Sequence, residues 1–508
     1  MITIHLDGTR LETEAGSRLR DIVKDRDPAC CVAVIRPATK ESEETDSFLL
    51  NTSSGEVGIE ATAQGTAFIN SLEIGDALPL HWSDRYAAAF GPFSSDISPD
   101  RKPHLYDRGD MVLGCGGYDP KKSYLIFCKM RHYADFGASS DGGVVARVVS
   151  GRGIVDRWST GDAISAINPV MSWADVSRSF TTNDDDLVLE DGMEIITYAQ
   201  IGALGYSPDH IGTEATDSVE HLLLAMQDGH FVVGRDTSTH IRDERLGRTD
   251  VPFEVSTHRH EGAVTLRTRG NSRGSVYIYT ADVPRTPAHT TVGQVTHGIP
   301  LARLAKEGDV FCVKVEPRRF DLVGMSLGDA LEAAAVRGIG VKSDADDELN
   351  IVVLQEPATT LESLSNGSVS LTTIALEKVI DIMLDAESAP ASCDIFRRST
   401  GLHLHSVGSM PFFFNFEEVY LFKPTMKKGT QIIPENIPRT VVPAGSLAIT
   451  NDSRKGSGMV GVRLTENSEF GPTSEPFEGT NLIGRVLDQE KVRHLKEKEI
   501  VYIREVKP

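Results

Sequence analysis

Short runs in which apolar and polar residues alternate follow one another along most of the chain, and they predict many short β-strands. Residues 460–464 show the pattern clearly, because Val460, Val462 and Leu464 alternate with other residues after a glycine-rich turn. A few stretches have helical spacing instead: in residues 218–226, apolar side chains recur three and four positions apart. The pattern therefore predicts a mainly β protein with short helices, of the α+β class.

The same order of predicted elements occurs three times along the chain. Each copy has a strand, a glycine-rich polar turn, a strand, a long loop, a strand, a short helix and an exit strand. The copies lie at residues 111–170, 262–317 and 445–506. Repetition at so long a period indicates several similar units, and 508 residues exceed what one core usually contains. We therefore predict three modules, an abbreviated one at residues 84–182 and two more at 183–320 and 321–508.

The first 83 residues predict a domain of a different kind. They contain a hairpin over residues 2–14, a helix that begins near Ser17, and strands at 32–35, 48–51 and 78–82. Hairpin, helix and further strands is the order of the β-grasp fold, as in ubiquitin-like proteins. We expect a β-grasp-like docking domain at residues 1–83.

Motifs in the second and third modules resemble cyclophilins. GSVYIYT at residues 274–280 resembles a cyclophilin strand, and residues 293–295 resemble the GQV strand that follows it. DIFRRSTGL at residues 394–402 resembles the strand that carries the catalytic arginine of cyclophilins, after a helix expected at 374–384. The whole chain is identified as a member of the archaeal family called methanogenesis marker protein 3, on segments that include GSVYIYTADVP and FFFNFEEVYLFKP. This resemblance implies cyclophilin-like β-barrel modules after the N-terminal domain.

The resemblance also implies a candidate activity. Cyclophilins isomerise X-Pro bonds, whose rotation barrier is about 18–20 kcal/mol, with an arginine aimed at the prolyl amide beside an apolar pocket. By resemblance this role falls to Arg398, with Phe396 beside it, and in the second module to Arg235. However, residues 405–410, HSVGSM, replace the glutamine- and glycine-containing segment that should follow, and the first module has no equivalent arginine. These departures favour a retained fold without catalysis, with a peptidyl-prolyl isomerase that acts on a client of the same pathway as the alternative. A regulatory protein that binds a small molecule in the vestigial pocket is the third hypothesis.

Two segments are candidate surfaces for protein partners. Residues 412–416 contain four phenylalanines, which predict either a core strand with an aromatic lid or a binding patch. The loop at residues 466–477 is the second candidate surface. The candidate binding residues are Phe412, Phe413, Phe414, Phe416, Glu466, Asn467, Phe470 and Phe477. The family resemblance implies a scaffold for the maturation or ATP-dependent reductive activation of methyl-coenzyme M reductase, with the reductase and its activation proteins as partners.

Charge and hydropathy exclude two classes of partner. The chain has 52 Lys and Arg against 73 Asp and Glu, a net charge of -21, which argues against binding to nucleic acid. It contains no apolar run of about 18 residues, which argues against a membrane span. The N-terminus lacks the residue order of a signal peptide. We expect a cytoplasmic protein.

Histidines and cysteines give only incomplete metal motifs. His258 and His260, like His403 and His405, place two imidazoles on one side of a strand, which is half of a zinc site. Surface or hydrogen-bonded histidines are the favoured interpretation. The six cysteines lack CxxC spacing and are expected to be buried thiols. The adjacent Cys30 and Cys31 could contact a cluster supplied by a partner, but neighbouring side chains on a strand point in opposite directions, which favours a structural role. We expect no metal and no cofactor.

Overall fold

The computed structural model describes residues 1–36, 46–72, 74–75, 77–169, 179–207, 209–454 and 456–506. The chain forms two compact units, Met1–Arg319 and Phe320–Pro508. Most of the regular structure consists of strands in sheets and closed barrels, which confirms the predicted mainly β class. In the part of the chain that the structure describes, no helix is long and apolar enough to cross a lipid bilayer.

The first unit opens with a hairpin, a short helix and a third strand. These elements are β1 (Ile2–Leu6), β2 (Thr9–Thr13), α1 (Leu19–Ile22) and β3 (Val32–Ile35). Asp7 and Gly8 join β1 to the antiparallel β2, and both have positive φ, 46° and 80°, as a tight two-residue turn requires. The hairpin and the helix predicted from the sequence are therefore present.

A closed barrel of eight strands follows. The elements of this region are β4 (Ser47–Thr52), β5 (Gly55–Ala61), α2 (Ala63–Ser71), β6 (Leu78–Ser83), β7 (Ala87–Phe93), β8 (His104–Tyr106), β9 (Asp110–Cys115), β10 (Ser123–Cys128), β11 (His132–Ala134), β12 (Val144–Val148), α3 (Arg152–Arg157) and β13 (Ala163–Pro169). The strand order around the barrel is β10-β7-β6-β13-β4-β5-β12-β9. Its core contains Trp158, whose ring lies 4.7 Å from that of Phe90 and 4.9 Å from that of Phe127.

The barrel is inserted into the N-terminal sheet. Strands β14 (Phe180–Thr182) and β15 (Glu194–Ile196) return to that sheet and complete the order β14-β3-β15-β1-β2. The strands expected at 48–51 and 78–82 in the N-terminal domain instead lie in the barrel, as β4 and β6. Alternation gives each strand one apolar face, here Phe48 and Leu50 of β4, but it does not specify which sheet that face joins. The boundary expected after residue 83 therefore does not follow the sheets.

The rest of the first unit is an eight-stranded sheet with two helices. Its elements are β16 (Tyr198–Ala203), β17 (Tyr206–Ser207), β18 (His210–Ile211), α4 (Thr216–Ala225), β19 (His230–Val232), β20 (Arg235–Asp236), β21 (His240–Asp243), β22 (Ala263–Arg267), β23 (Val276–Tyr279), β24 (His289–His297), α5 (Ile299–Leu304) and β25 (Val310–Glu316). The order of the large sheet is β19-β25-β16-β24-β22-β23-β21-β20, and β17 and β18 pair separately. Helix α4 buries Val219, Leu222 and Leu223, which confirms the helix predicted from their spacing.

The second unit begins with a small α/β layer. It consists of α6 (Leu327–Val336), β26 (Gly340–Ser343), β27 (Ile351–Glu356), α7 (Thr360–Asn366) and β28 (Ser368–Ile374). The three strands form one sheet, and Leu327, Ala330 and Val352 belong to a core of its own. The module predicted at residues 321–508 thus contains this layer in addition to a barrel.

The barrel of the second unit has seven strands. Its elements are β29 (Val379–Leu384), α8 (Pro390–Thr400), β30 (Val407–Phe416), β31 (Val419–Phe422), β32 (Ser446–Thr450), β33 (Val460–Arg463), β34 (Thr480–Val486), α9 (Gln489–Arg493) and β35 (Ile500–Glu505). The closed order is β29-β34-β32-β33-β31-β30-β35.

Two elements of this region differ from the sequence prediction. Residues 379–384 of the helix expected at 374–384 form the strand β29, and residues 394–400 of the strand expected at 394–402 lie in the helix α8. Pro390 occupies the first turn of α8, where its missing N–H costs nothing. Cys393 and Phe396, three residues apart, are both buried on the core side. The helical spacing of the buried residues therefore agrees with the structure of residues 394–400, and the strand implied by the family resemblance is wrong there.

Candidate functional site

A cavity of about 440 Å³ with a strongly basic lining lies on the sheet of the second module. Its walls come from β20, β21, β22, β23, the first residue of β24 and the loop that joins β22 to β23. Five arginines line it: Arg235, Arg242, Arg259, Arg267 and Arg269. Such a concentration of positive charge is unexpected in a chain with a net charge of -21.

Strand alternation separates this basic face from the core. In β23, Val276 and Ile278 are fully buried, and Ile278 pairs with Val264 of β22, while Tyr277 and Tyr279 line the cavity. Successive side chains of a strand point to opposite faces, so one pattern builds both the core and the cavity wall. The cavity is therefore part of the folded sheet and not of a flexible loop alone.

Two of the arginines face each other across the strands. Arg235 of β20 lies directly opposite Arg242 of β21, and Arg242 lies opposite Tyr277 of β23. Like charges in directly opposite positions destabilise a sheet. Glu244 pairs with Arg242 at 2.6 Å and compensates one of the two charges.

The other four arginines have no carboxylate partner among the described residues. Arg259 is buried and contacts the hydroxyl of Tyr279 and the carbonyl of Pro284, with its guanidinium 4.7 Å from the centre of the Tyr279 ring. Arg267 contacts His289 Nε2 at 3.0 Å through Nη1. These contacts orient the guanidinium groups but leave their charge uncompensated, which is the arrangement of an anion-binding site.

The histidines of the cavity do not add to its charge at neutral pH. Burial, followed by the charges of Arg259 and Arg267, lowers the pKa of His289 to about 3. Burial and the neighbouring arginines also lower the pKa of His240. Both rings therefore offer neutral nitrogen atoms beside the cationic groups.

Among the candidate catalytic and binding residues named from the sequence, only Arg235 lines this cavity. It lies exposed on the two-residue strand β20. The other four arginines were missed because they are spread over residues 242–269, and the sequence does not show that the strands carrying them become neighbours. A usable signal existed in β21 and β22, where an arginine falls on the face opposite the apolar core residues.

The other candidate catalytic residues lie in the second unit, on the helix α8. Phe396 is fully buried in the core of the second barrel. Arg398, on the same helix, pairs through Nε with Asp394 Oδ2 at 2.9 Å, one helical turn earlier. The position predicted for a catalytic arginine on a strand is thus a helical ion pair.

The candidate partner-binding phenylalanines divide into two groups. Phe412 belongs to the barrel core, whereas Phe413 is 46% exposed and Phe416 38% exposed. The Phe414 ring links them, with centroids 4.9 Å from Phe413 and 5.9 Å from Phe416. The strand therefore contributes Phe412 to the core, and Phe413, Phe414 and Phe416 form what we call the exposed aromatic row.

The predicted binding loop at residues 466–477 begins beside the turn that follows this row. Leu464 N donates to the carbonyl of Glu418 at 2.9 Å. Glu466 is exposed, Asn467 Oδ1 accepts hydrogen bonds from two following backbone N–H groups, and Phe470 is 42% exposed. Phe477 is half-buried in a 3₁₀ turn. Within the described residues, no ring contact joins Phe470 or Phe477 to the aromatic row.

The predicted histidine pairs have different surroundings. His403 Nδ1 lies 3.2 Å from the carbonyl oxygen of Arg397, and His405 Nδ1 lies 2.9 Å from Asp321, so both are hydrogen-bonded. One ring nitrogen each of His258 and His260 lies within 4.8 Å of a carboxylate oxygen of Asp282, a contact that the spacing of the histidines did not predict.

Ion pairs already occupy the surroundings of His260. Its two ring nitrogens lie 3.3 Å from Asp156 and 3.3 Å from Asp282, and Arg108 and Arg152 pair with the same two carboxylates. Burial opposes the charge of His260, but the hydrogen bonds to Asp156 and Asp282 outweigh it and raise its pKa. A charged network, rather than an open cation site, describes this cluster.

Comparison with known proteins gives matches that cover only part of this chain. A family model described as a "Putative peptidyl-prolyl cis-trans isomerase domain" matches residues 380–506. Among solved structures, a cyclophilin from Hirschia baltica is 11% identical, with a TM-score of 0.20, and the match covers 28% of this chain and 82% of that one.

Full-length relatives come from methanogenic archaea. A UPF0288 protein of Methanosarcina mazei is 34% identical, over 99% of this chain and 97% of its own length. A UPF0288 protein of Methanothermobacter thermautotrophicus is 32% identical, over 99% of this chain and 98% of its own. The chain belongs to the UPF0288 protein family.

Proposed function

We propose that this protein is a non-catalytic binding and assembly protein of methanogenic archaea, and that its second module binds a small anion with at least two negative charges. The observation that carries the proposal is the group of four cavity arginines without a carboxylate partner among the described residues. Phosphate and carboxylate groups are the ligands whose planar or tetrahedral oxygens match paired guanidinium donors. The volume of about 440 Å³ suits a small molecule rather than a protein segment.

The test uses the full-length protein with sulfate, pyrophosphate and citrate as probes in isothermal titration calorimetry. Arg267→Ala should weaken binding by roughly 10- to 100-fold, because a hydrogen bond to a charged group contributes about 1.5–3 kcal/mol. Arg273→Ala is the matched control: Arg273 lies in the same loop between β22 and β23 but does not line the cavity, and it pairs with Asp250 at 2.8 Å. Equal affinities for all three proteins, or no binding of any probe, would contradict an anion site.

The assembly role rests on a different observation, the exposed aromatic row of β30. Exposed aromatic side chains of this kind are common at protein interfaces. Since the relatives occur in methanogens, we propose methyl-coenzyme M reductase and its activation proteins as partners, and the methanogenesis marker protein 3 family as the more specific identity.

Anaerobic affinity purification from a methanogen tests this role. The tagged wild type should recover reductase subunits or an ATPase, and the double variant Phe413→Ser, Phe416→Ser should recover several-fold less of them. Phe253→Ser, which replaces a phenylalanine that is 48% exposed in the first unit, controls for the loss of any exposed ring. Undiminished recovery with the double variant would exclude this surface.

A peptidyl-prolyl isomerase is the alternative, favoured by the family model that matches residues 380–506. The ion pair between Arg398 and Asp394 leaves this arginine poorly placed for a prolyl amide. A chymotrypsin-coupled proline peptide assay should therefore give no activity with the wild type. Activity that disappears in Arg398→Ala would establish the isomerase instead.

A further inference from the structure

Three potential metal ligands meet on the sheet of the second module, outside the basic cavity. The sulfurs of Cys30 and Cys312 and one ring nitrogen of His230 all lie within 4.8 Å of one another. The two sulfurs are 2.7 Å apart. Two thiols and an imidazole from three distant parts of the sequence thus converge on one point.

Backbone pairing explains this convergence. His230 of β19 lies directly opposite Cys312 of β25, so their side chains share one face of the sheet. Cys31 N donates to the carbonyl of Val310 at 2.7 Å, and Cys31 bridges to Phe311 of β25. These bonds fix the segment that carries Cys30 against the strand that carries Cys312.

The donor set selects the class of metal. Thiolate and imidazole ligands suit Zn²⁺ and similar divalent transition ions, and they do not suit Mg²⁺ or Ca²⁺, which prefer oxygen. His230 Nε2 also lies 2.8 Å from Asp27 Oδ2. A carboxylate in this position orients a metal-bound imidazole and raises its basicity. Cys30 is buried, whereas Cys312 and His230 are half-buried, which leaves a path for an ion to enter.

We infer that Cys30, Cys312 and His230 form a site for one Zn²⁺ ion, with Asp27 as a positioning residue. On binding, each thiol loses its proton to solvent, and a lone pair of each sulfur and of one imidazole nitrogen bonds to the metal. Three protein ligands leave a fourth position for water or for a group from a partner.

The experiment uses the full-length protein, purified anaerobically with a reductant and stripped with a chelator. Titration with Zn²⁺ should give one tightly bound ion per chain, and Co²⁺ should produce the charge-transfer absorption of thiolate–cobalt bonds. Cys312→Ser and His230→Gln should lose this binding. Asp27→Asn should weaken it by about 10- to 100-fold, as removal of such carboxylate partners does elsewhere.

Cys115→Ser is the matched control, because Cys115 is a buried thiol of the first barrel that contacts the carbonyl of Gly137. It should leave metal binding unchanged. The Asp27→Asn variant keeps every ligand, so the test remains decisive if a cysteine variant does not fold. A protein that binds neither ion, or whose anaerobically isolated form carries a disulfide between Cys30 and Cys312, would overturn the inference. Equal loss of binding in Cys115→Ser would also overturn it.

Discussion

His289 remains neutral at physiological pH because it is buried and because Arg259 and Arg267 lie beside it. Arginine, by contrast, keeps its charge throughout this range. At physiological pH the positive charge of the cavity therefore comes from its arginines, and its histidines do not contribute to it.

Sulfate binding should accordingly depend little on pH. Sulfate itself does not titrate near neutrality, and we expect its affinity to change by less than about threefold between pH 6 and pH 8, since the arginines remain charged. Calorimetric titrations at several pH values check this. A tenfold tightening at pH 6 would mean that His240 or His289 gains a proton when the anion binds.

A second histidine has the opposite behaviour. His297 Nδ1 lies 3.0 Å from Glu56 Oε1, and Nε2 lies 3.6 Å from Asp7 Oδ1. Burial disfavours its charge, but the hydrogen bonds to Asp7 and Glu56 outweigh burial and raise its pKa to about 9. Asp7 lies in the turn between β1 and β2, Glu56 lies in β5 and His297 lies in β24. One imidazolium therefore links the N-terminal sheet, the first barrel and the second module.

Stability should decrease as the pH rises through this pKa. A pKa raised on folding stabilises the native state fully below the unfolded value near 6.5, and the contribution disappears as the pH approaches 9. The loss amounts to roughly 3 kcal/mol over that window.

Glu194 affects stability at lower pH. Burial raises the pKa of Glu194 to about 7, so its ionisation lowers stability as the pH rises from about 4.5 to 7.

Urea unfolding at pH 6, 7.5 and 9 measures the effect. The midpoint of the wild type should fall across this range, and that of His297→Gln should fall much less. His132→Gln serves as the control, because His132 has no carboxylate partner among the described residues. A wild-type midpoint that rises toward pH 9 would refute the assignment of charge to His297.

At the scale of single elements, α8 allows the contributions of core packing and of an ion pair to stability to be compared within one helix. Phe396 fills the barrel core, whereas Arg398 pairs with Asp394, whose side chain is 57% exposed. Phe396→Ala should destabilise the second unit by about 3–5 kcal/mol. Arg398→Ala should cost less than about 1 kcal/mol, since exposed pairs on a helix contribute little.

Urea unfolding monitored by far-UV circular dichroism measures the free energy of unfolding of both variants. Cys393→Ala, on the same buried face, provides an intermediate case, because it removes a smaller side chain. If Arg398→Ala were as destabilising as Phe396→Ala, the helix would depend on a contact other than its core face.

The same element shows what a sequence can predict. Spacing alone predicts α4 correctly, since Val219, Leu222 and Leu223 follow the helical period. In α8 the spacing of Cys393 and Phe396 also indicates a helix, whereas the resemblance to a cyclophilin motif predicts a strand there. Local periodicity was the better guide at this position.

At the scale of the whole molecule, two features were beyond the sequence pattern. The cavity arginines meet only after β20, β21 and β22 pair, and their distance in sequence conceals their proximity. The sulfur atoms of Cys30 and Cys312 are 2.7 Å apart, although 281 residues separate the two cysteines in the sequence. No pattern of local spacing predicts such a contact. Element type follows from local pattern, whereas sites depend on which strands become neighbours.

The position of the first barrel has a consequence for synthesis on the ribosome. Strand β3 cannot gain its neighbours β14 and β15 until residues 180–196 have been translated. At about 5–20 residues per second, the growing chain must wait roughly 10 s or more with its first hairpin unsupported. The inserted barrel, whose strands are all available earlier, is therefore the part that we expect to fold first, and the N-terminal sheet closes around its two ends afterwards.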